Sequence, residues 1–519
     1  MLRPKRQSSN TVTVTAPIGG WNAVNQLATM SPNEAVIIDN WFCLPTELQS
    51  RKGYTLWSSG ITGTIESFIT YDGQSGQISR FAVAISGSSA TIWNITTKTP
   101  TSPTAAVTGL ANARWHFCQV STSGGSFTMA VNGADNLLIY NGSTWYHVTG
   151  TSSTYAITGV DTSLLTDIIV HHRRVWLVQK NSMTCWYLGI DSIAGAAQSY
   201  DFAPLFVYGG HVVRIDTWSL DAGNGMDDYF IVITSAGEIA VFTGTDPSSA
   251  ATWSLSGVYY CGSPVGRNCT IKYGGDVLLL NKDGLVPLSQ WLMSSRVNVK
   301  TAVTIKIQQR ITDATTWYAD NYGWQVMLNP PNNMLFINVP ISSTEFQQYV
   351  MNTISGAWSR FTGVNATCWV FIDDELLFAS GSKVYKFWDG QSDNGATIST
   401  DLLPAFSSFG SQSQIKRWTM ARVSMGYDHS FAFSGQINLD FDLVSAPPAP
   451  YNSLTTVEGI WDVGLWDACS WGGNITPFTR WQMAAGMGHY GTYRIKTSSS
   501  AADVRYYATD YVFEGGGVL

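Results

Sequence analysis

The sequence predicts an all-β protein: a β-propeller of six or seven blades, joined to a β-rich platform domain formed by the N- and C-terminal segments. Three observations carry that expectation. Charged residues are only 13% of 519, while Gly (48), Trp (21) and Tyr (23) are abundant, the balance of a β protein with many turns. Paired apolar runs recur every 41 to 58 residues through the middle of the chain, close to the repeat length of a propeller blade. The pattern changes at both ends.

Residues 1–60 read as the N-terminal part of the platform. They open on a basic stretch with Arg3, Lys5 and Arg6, followed by Thr/Val alternation. One short helix is expected over 31–40, where Ser31 caps, Pro32 takes the first helical position and Glu34 completes a capping box. Residues 61–400 read as the propeller. Its paired runs begin near Phe81, Phe127, Val175, Tyr229, Val277, Leu335 and Leu376. The turns between the members of a pair carry residues that tolerate positive φ: Asn132-Gly133, Asn181-Ser182, Ala236-Gly237, Asp283-Gly284 and Ser380-Gly381. Beyond several second runs stands a tryptophan, Trp145, Trp253 or Trp358, placed to open the next strand and pack between neighbouring sheets. One small sheet cannot cover both its faces, whereas a ring of them can. An irregular β-sandwich, or two, is the competing architecture, because regular turn spacing fits it as well. Residues 401–519 read as the C-terminal part of the platform, with long strands around 418–425 and 431–441 and a Pro-rich link at 445–450. Trp461, Trp466, Trp471 and Trp481 follow. So much aromatic surface fits burial against a partner as well as it fits a plain core.

Composition excludes several classes. With 45% hydrophobic residues the chain is not disordered. A net charge of −7 opposes a protein that grips phosphate. Seven cysteines, at 43, 118, 185, 261, 269, 368 and 469, form an odd set without a CxxC; they read as reduced thiols of a protein that folds in a cytoplasm. No secretory leader follows Met1, and no run approaches the ~20 apolar residues of a membrane helix, so no membrane insertion is expected.

Chemistry-bearing motifs are missing as well. There is no Gly-Lys dipeptide for a Walker loop, no HExxH and no GxSxG. His171-His172-Arg173-Arg174 reads as a turn before the strand at Val175 rather than a metal or phosphate site, since neighbouring strand side chains point to opposite faces. Asp227-Asp228 and Asp373-Asp374-Glu375 precede apolar runs, where acids mark solvated turns more often than a glycosidase pair. No catalytic residue, cofactor or metal is expected, and the chain is not expected to be an enzyme.

Several stretches resemble the tail nozzle proteins of podoviruses, also called tail tubular protein B. At the start they are Ala16-Pro17-Ile18-Gly19-Gly20-Trp21-Asn22, Asn40-Trp41-Phe42 and Arg51-Lys52-Gly53-Tyr54. In the middle they are residues 171–180, Trp186-Tyr187-Leu188, residues 191–197, residues 244–253, residues 272–275 and residues 283–288. At the end, residues 510–519 fit as well. The resemblance implies a structural virion component of a bacteriophage short tail, assembled in the host cytoplasm. It implies a homo-hexameric ring that extends the DNA channel below the portal and adaptor proteins and docks tail fibres or spikes. Six copies of a −7 chain would form an acidic wall, past which duplex DNA slides without specific binding. Candidate subunit or adaptor contacts are Arg3, Lys5, Arg6, Trp21, Trp41, Lys416, Arg417, Trp418, Trp461, Trp466 and Trp471.

The rival reading is a propeller that binds or degrades surface glycans as a tail spike. Trp324 or Trp466 would then stack on sugars, and Asp374 would be the acid to test.

Overall fold

The computed structural model describes residues 9–74, 76–98, 103–221, 226–292, 302–447 and 475–516. The chain is all-β, and its middle is a seven-bladed propeller. Blade 1 comprises Thr64–Asp72, Ile78–Ser86, Ser89–Asn94 and Thr104–Leu110. Blade 2 comprises His116–Thr122, Gly125–Val131, Leu137–Tyr140 and Trp145–Val148. Blade 3 comprises Leu165–His171, Arg174–Gln179, Thr184–Tyr187 and Gln198–Asp201. Blade 4 comprises Val212–Asp221, Met226–Thr234, Glu238–Gly244 and Trp253–Tyr260. Blade 5 has three strands, Thr270–Tyr273, Asp276–Asn281 and Gly284–Pro287. Blade 6 comprises Gln325–Asn329, Met334–Pro340, Phe346–Asn352 and Trp358–Phe361. Blade 7 joins Cys368–Ile372, Glu375–Ser380 and Lys383–Phe387 to Tyr54–Ser58 from near the start of the chain. The blades neighbour one another in a closed circle, blade 7 lying against blade 1.

The paired apolar runs are the second and third strands of each blade, and the second is almost wholly buried. Their turns use the expected left-handed conformations, at Gly133, Asn181, Gly237, Gly284 and Gly381. The tryptophans at 145, 253 and 358 each begin a fourth strand. Trp253 stacks on Trp176 of blade 3 at 5.7 Å, and Trp145 meets Phe81 of blade 1 at 5.0 Å. Such contacts fill the wedges between blades and fix their spacing.

Both ends of the chain build the platform. In its first sheet Thr476–Gly488, Lys416–Tyr427 and Val504–Gly515 run side by side. Ser9–Thr15 pairs antiparallel along Val504–Gly515, from Ser9 opposite Glu514 to Thr15 opposite Ala508. The second sheet, with Glu34–Asp39, Ile398–Pro404, Gly491–Ser499 and Ala432–Leu439, continues directly from blade 6. The junction is Asp39 against Arg360, whose guanidinium forks onto that carboxylate at 2.7 and 2.6 Å. Trp418, Tyr493, Tyr506 and Tyr511 are buried in the platform core. Gly491 is needed there: a Cβ at that position would sit 2.5 Å from the Trp418 ring.

Two expectations for residues 1–60 are corrected. The segment at 34–39 is a strand, not a helix. Its Val36, Ile37 and Ile38 are β-branched, and its backbone pairs with Ile398–Pro404. Glu34 does not cap; it accepts from Asn22 at 2.6 Å and pairs with Lys306 at 3.0 Å. Tyr54–Ser58 belongs to the propeller rather than the platform. By completing blade 7 it fastens the last blade with chain from before the first. Among the described residues the longest helix, Gln308–Tyr318, lies before blade 6.

Candidate interaction surfaces

The sequence motifs at 40–42 and 51–54 meet at one buried knot. Arg51 donates from Nε to Asn40 Oδ1 at 2.9 Å, from Nη2 to the Thr362 carbonyl at 3.1 Å, and from Nη1 and Nη2 to one Asp393 carboxylate oxygen each. Asn40, held at φ 58°, donates in turn to Thr362 Oγ1 and the Ser399 carbonyl. The knot joins platform, blade 6 and the chain leaving blade 7. Its role is architectural.

Most of the described residues expected at an interface lie inside the chain. Trp21, Trp41 and Trp418 are core residues. Their area is used against neighbouring strands, so they are corrected from contact candidates to packing residues. Lys416 is buried too, its Nζ donating to the carbonyls of Ser411, Gln414 and His489; burial lowers its pKa, with Asp440 opposing. Arg417 alone presents its side chain outward, 3.7 Å from Glu514. Arg3, Lys5, Arg6, Trp461, Trp466 and Trp471 lie outside the described residues.

An apolar surface does exist, on residues not anticipated from sequence. Thr476–Gly488 pairs on one side with Lys416–Tyr427, and among the described residues its other edge is unpaired. Phe478, Ala484 and Gly488 point into the platform. The alternate positions point out: Met483 is 79% exposed, Met487 74% and Trp481 43%. Met420 stands opposite Met483 and is also exposed. Arg422 crosses this face, its guanidinium 4.9 Å from the Trp481 ring centroid and paired with Asp510 at 2.6 Å. A single exposed methionine is ordinary; three large side chains on a strand whose outer edge is unpaired among the described residues, with Met420 beside them, form a patch of the kind that binds protein.

Two of the remaining motifs resolve as turns, whereas Asp227-Asp228, expected in a turn, lies within the strand Met226–Thr234, paired with Leu220 and Ser219. His172 and Arg173, at φ 45° and 62°, make the two-residue hairpin of blade 3. The His171 ring is buried against Phe230, and its Nδ1 lies 3.1 Å from Thr217 Oγ1. Asp373 and Asp374, both with positive φ, make the corresponding hairpin of blade 7, where Asp373 and Glu375 pair with Arg80. Trp324, offered as a sugar-stacking residue, is instead buried and donates to the Tyr318 carbonyl. The described cysteines form no disulfide, and burial raises their thiol pKa, Cys43 and Cys269 to about 12. Among the described residues no group of His, Cys, Asp and Glu is arranged to hold a metal, and no helix is long and apolar enough to cross a membrane.

No family model and no curated protein matches the chain. Among solved structures it is similar to the N-terminal region of BBS1 in complex with ARL6 (12% identity, TM-score 0.38, covering 65% of this chain and 97% of that one). It is similar also to Raptor of Chaetomium thermophilum (10% identity, TM-score 0.37, covering 67% and 30%). A third is YCF48 bound to D1 peptide (9% identity, TM-score 0.37, covering 70% and 99%).

Proposed function

We propose that the chain is a ring-forming structural component of a short bacteriophage tail, a nozzle that extends the DNA channel and docks fibres or spikes. The observation that supports this reading best is the platform edge at Thr476–Gly488, whose outward Met483, Met487 and Trp481 and, among the described residues, unpaired backbone suit cover by another polypeptide. A sheet edge that meets a different surface of an identical neighbour makes a head-to-tail contact, and such contacts form a ring when their rotation closes. The sequence stretches that resemble tail nozzles support it too. Residues 40–42 and 51–54 form the platform–propeller knot, and residues 510–515 lie on the strand that pairs with Ser9–Thr15.

Light scattering and electron microscopy of the purified protein test this reading. Six copies in a ring, or a place for the chain in a virion tail, is the expected result. A monomer at high concentration that is missing from the virion overturns it.

A further inference from the structure

At the propeller axis, where the innermost strands begin, lies a cavity of about 460 Å³. Three arginines from three places around the ring line it: Arg114 before blade 2, Arg214 in blade 4 and Arg267 before blade 5. Arg114 is committed, forked onto Glu66 at 3.0 and 3.1 Å and stacked 4.0 Å over the Tyr322 ring. Arg214 is half committed. Its Nη1 reaches Asp167 at 2.9 Å and His116 Nδ1 at 3.1 Å, while its buried Nε has no hydrogen-bond partner. Arg267 is uncommitted: it is exposed at the cavity, and among the described residues no carboxylate lies within ion-pair distance.

The Arg214 side chain is 20% exposed, and a guanidinium free of a carboxylate in a walled space attracts anions strongly. We propose that this axial cavity binds a small oxyanion, a phosphate or carboxylate group, between Arg214 and Arg267. Arg214 is prepositioned by Asp167, a carboxylate that burial alone would push toward protonation but that Arg214 and His116 keep ionised. Arg267 supplies the open fork, which suits bidentate contact with phosphate or carboxylate oxygens. Of the carboxylates lining the cavity, Glu66 is neutralised by Arg114, and Asp320 has no ion pair among the described residues. Asp320 therefore opposes the anion and sets a sign that can be tested.

The experiment is calorimetric titration of the full chain, at low salt in a non-coordinating buffer, with inorganic phosphate in one arm and succinate in the other. Heat of binding in the phosphate arm alone identifies a phosphate site, and in the succinate arm alone a carboxylate site; saturation in both identifies a general oxyanion site. Arg267→Gln, at an exposed position where folding is not at stake, is expected to weaken binding by about tenfold or more. Asp320→Asn is expected to strengthen it severalfold. Absence of binding in both arms overturns the proposal, and so does binding that Arg267→Gln leaves unchanged.

Discussion

Arg51 and Asp393, 342 residues apart in sequence, form a buried two-pronged ion pair with N–O distances of 2.7 and 2.6 Å. The pair works like a clasp. Asp393 follows blade 7, whereas Arg51 precedes the strand that completes that blade, so the link holds the ring shut from outside the sheet ladder. Every remaining polar arm of Arg51 is occupied by Asn40, Thr362 or the Lys52 carbonyl. Removing one partner strands a buried charge, which costs about 3–5 kcal/mol. Arg51→Met and Asp393→Asn are each expected to lower denaturant stability by roughly that amount. The double variant should lose much less than the sum, and a double-mutant cycle from urea melts checks it.

Beside the clasp, Gly53 leaves no room for a side chain. Its N–H donates to the Gly390 carbonyl, and its own carbonyl accepts from Asp389 N–H. A Cβ there would meet the Ser392 carbonyl oxygen at 1.9 Å. Because the obstacle is backbone, it cannot swing aside. Gly53→Ala is expected to cost at least the 1–3 kcal/mol or so of ordinary overpacking, and to expose residues 9–58 to limited proteolysis before the propeller hairpins are cut.

His171 makes stability depend on pH. Burial, helped by His172 and Lys272 and opposed by Asp228, lowers its pKa to about 3. The unfolded chain therefore binds a proton near pH 6.5 that the folded chain refuses until far lower. The folded pKa is depressed for a base, so stability is full above about pH 7 and falls as pH drops through the unfolded value. Between pH 7 and pH 5 the loss from this residue is about 2 kcal/mol. His171→Phe, which keeps an aromatic ring among Phe230 and Trp253, is expected to flatten that part of the profile. Melting temperatures of both proteins across this interval measure the slope.

What could be read from the sequence follows burial. Second strands such as those at Phe81 and Leu335 are buried on both faces, so their runs are continuously apolar and their tight turns conspicuous. The first and fourth strands carry mixed patterns: Leu165–His171 buries Asp167, and Trp253–Tyr260 alternates toward solvent. Of these, the fourth strands opened by Trp145, Trp253 and Trp358 are marked in the sequence, and the other outer strands are not. The strand at 34–39 was obscured by a local capping signal, whereas its pairing with Ile398–Pro404 is a long-range fact. Tryptophans were poor guides to the surface, because Trp21, Trp41 and Trp418 have a core to fill. Met483 and Met487 become an outward stripe only once the register with Met420 and Arg417 is known.

That stripe gives the most direct test of assembly. On an outward sheet face a glutamate costs the folded monomer little, since Met483 and Met487 are largely exposed and touch no described core. Against another subunit, the same glutamate would be desolvated without a partner. Met483→Glu with Met487→Glu is therefore expected to leave the circular dichroism spectrum and the thermal midpoint nearly unchanged while abolishing the proposed ring. Met483→Leu with Met487→Leu, which keeps the apolar area, should preserve it. Sedimentation velocity distinguishes the two. If the glutamate variant still sediments as the ring, the subunits meet elsewhere and this edge is not their contact.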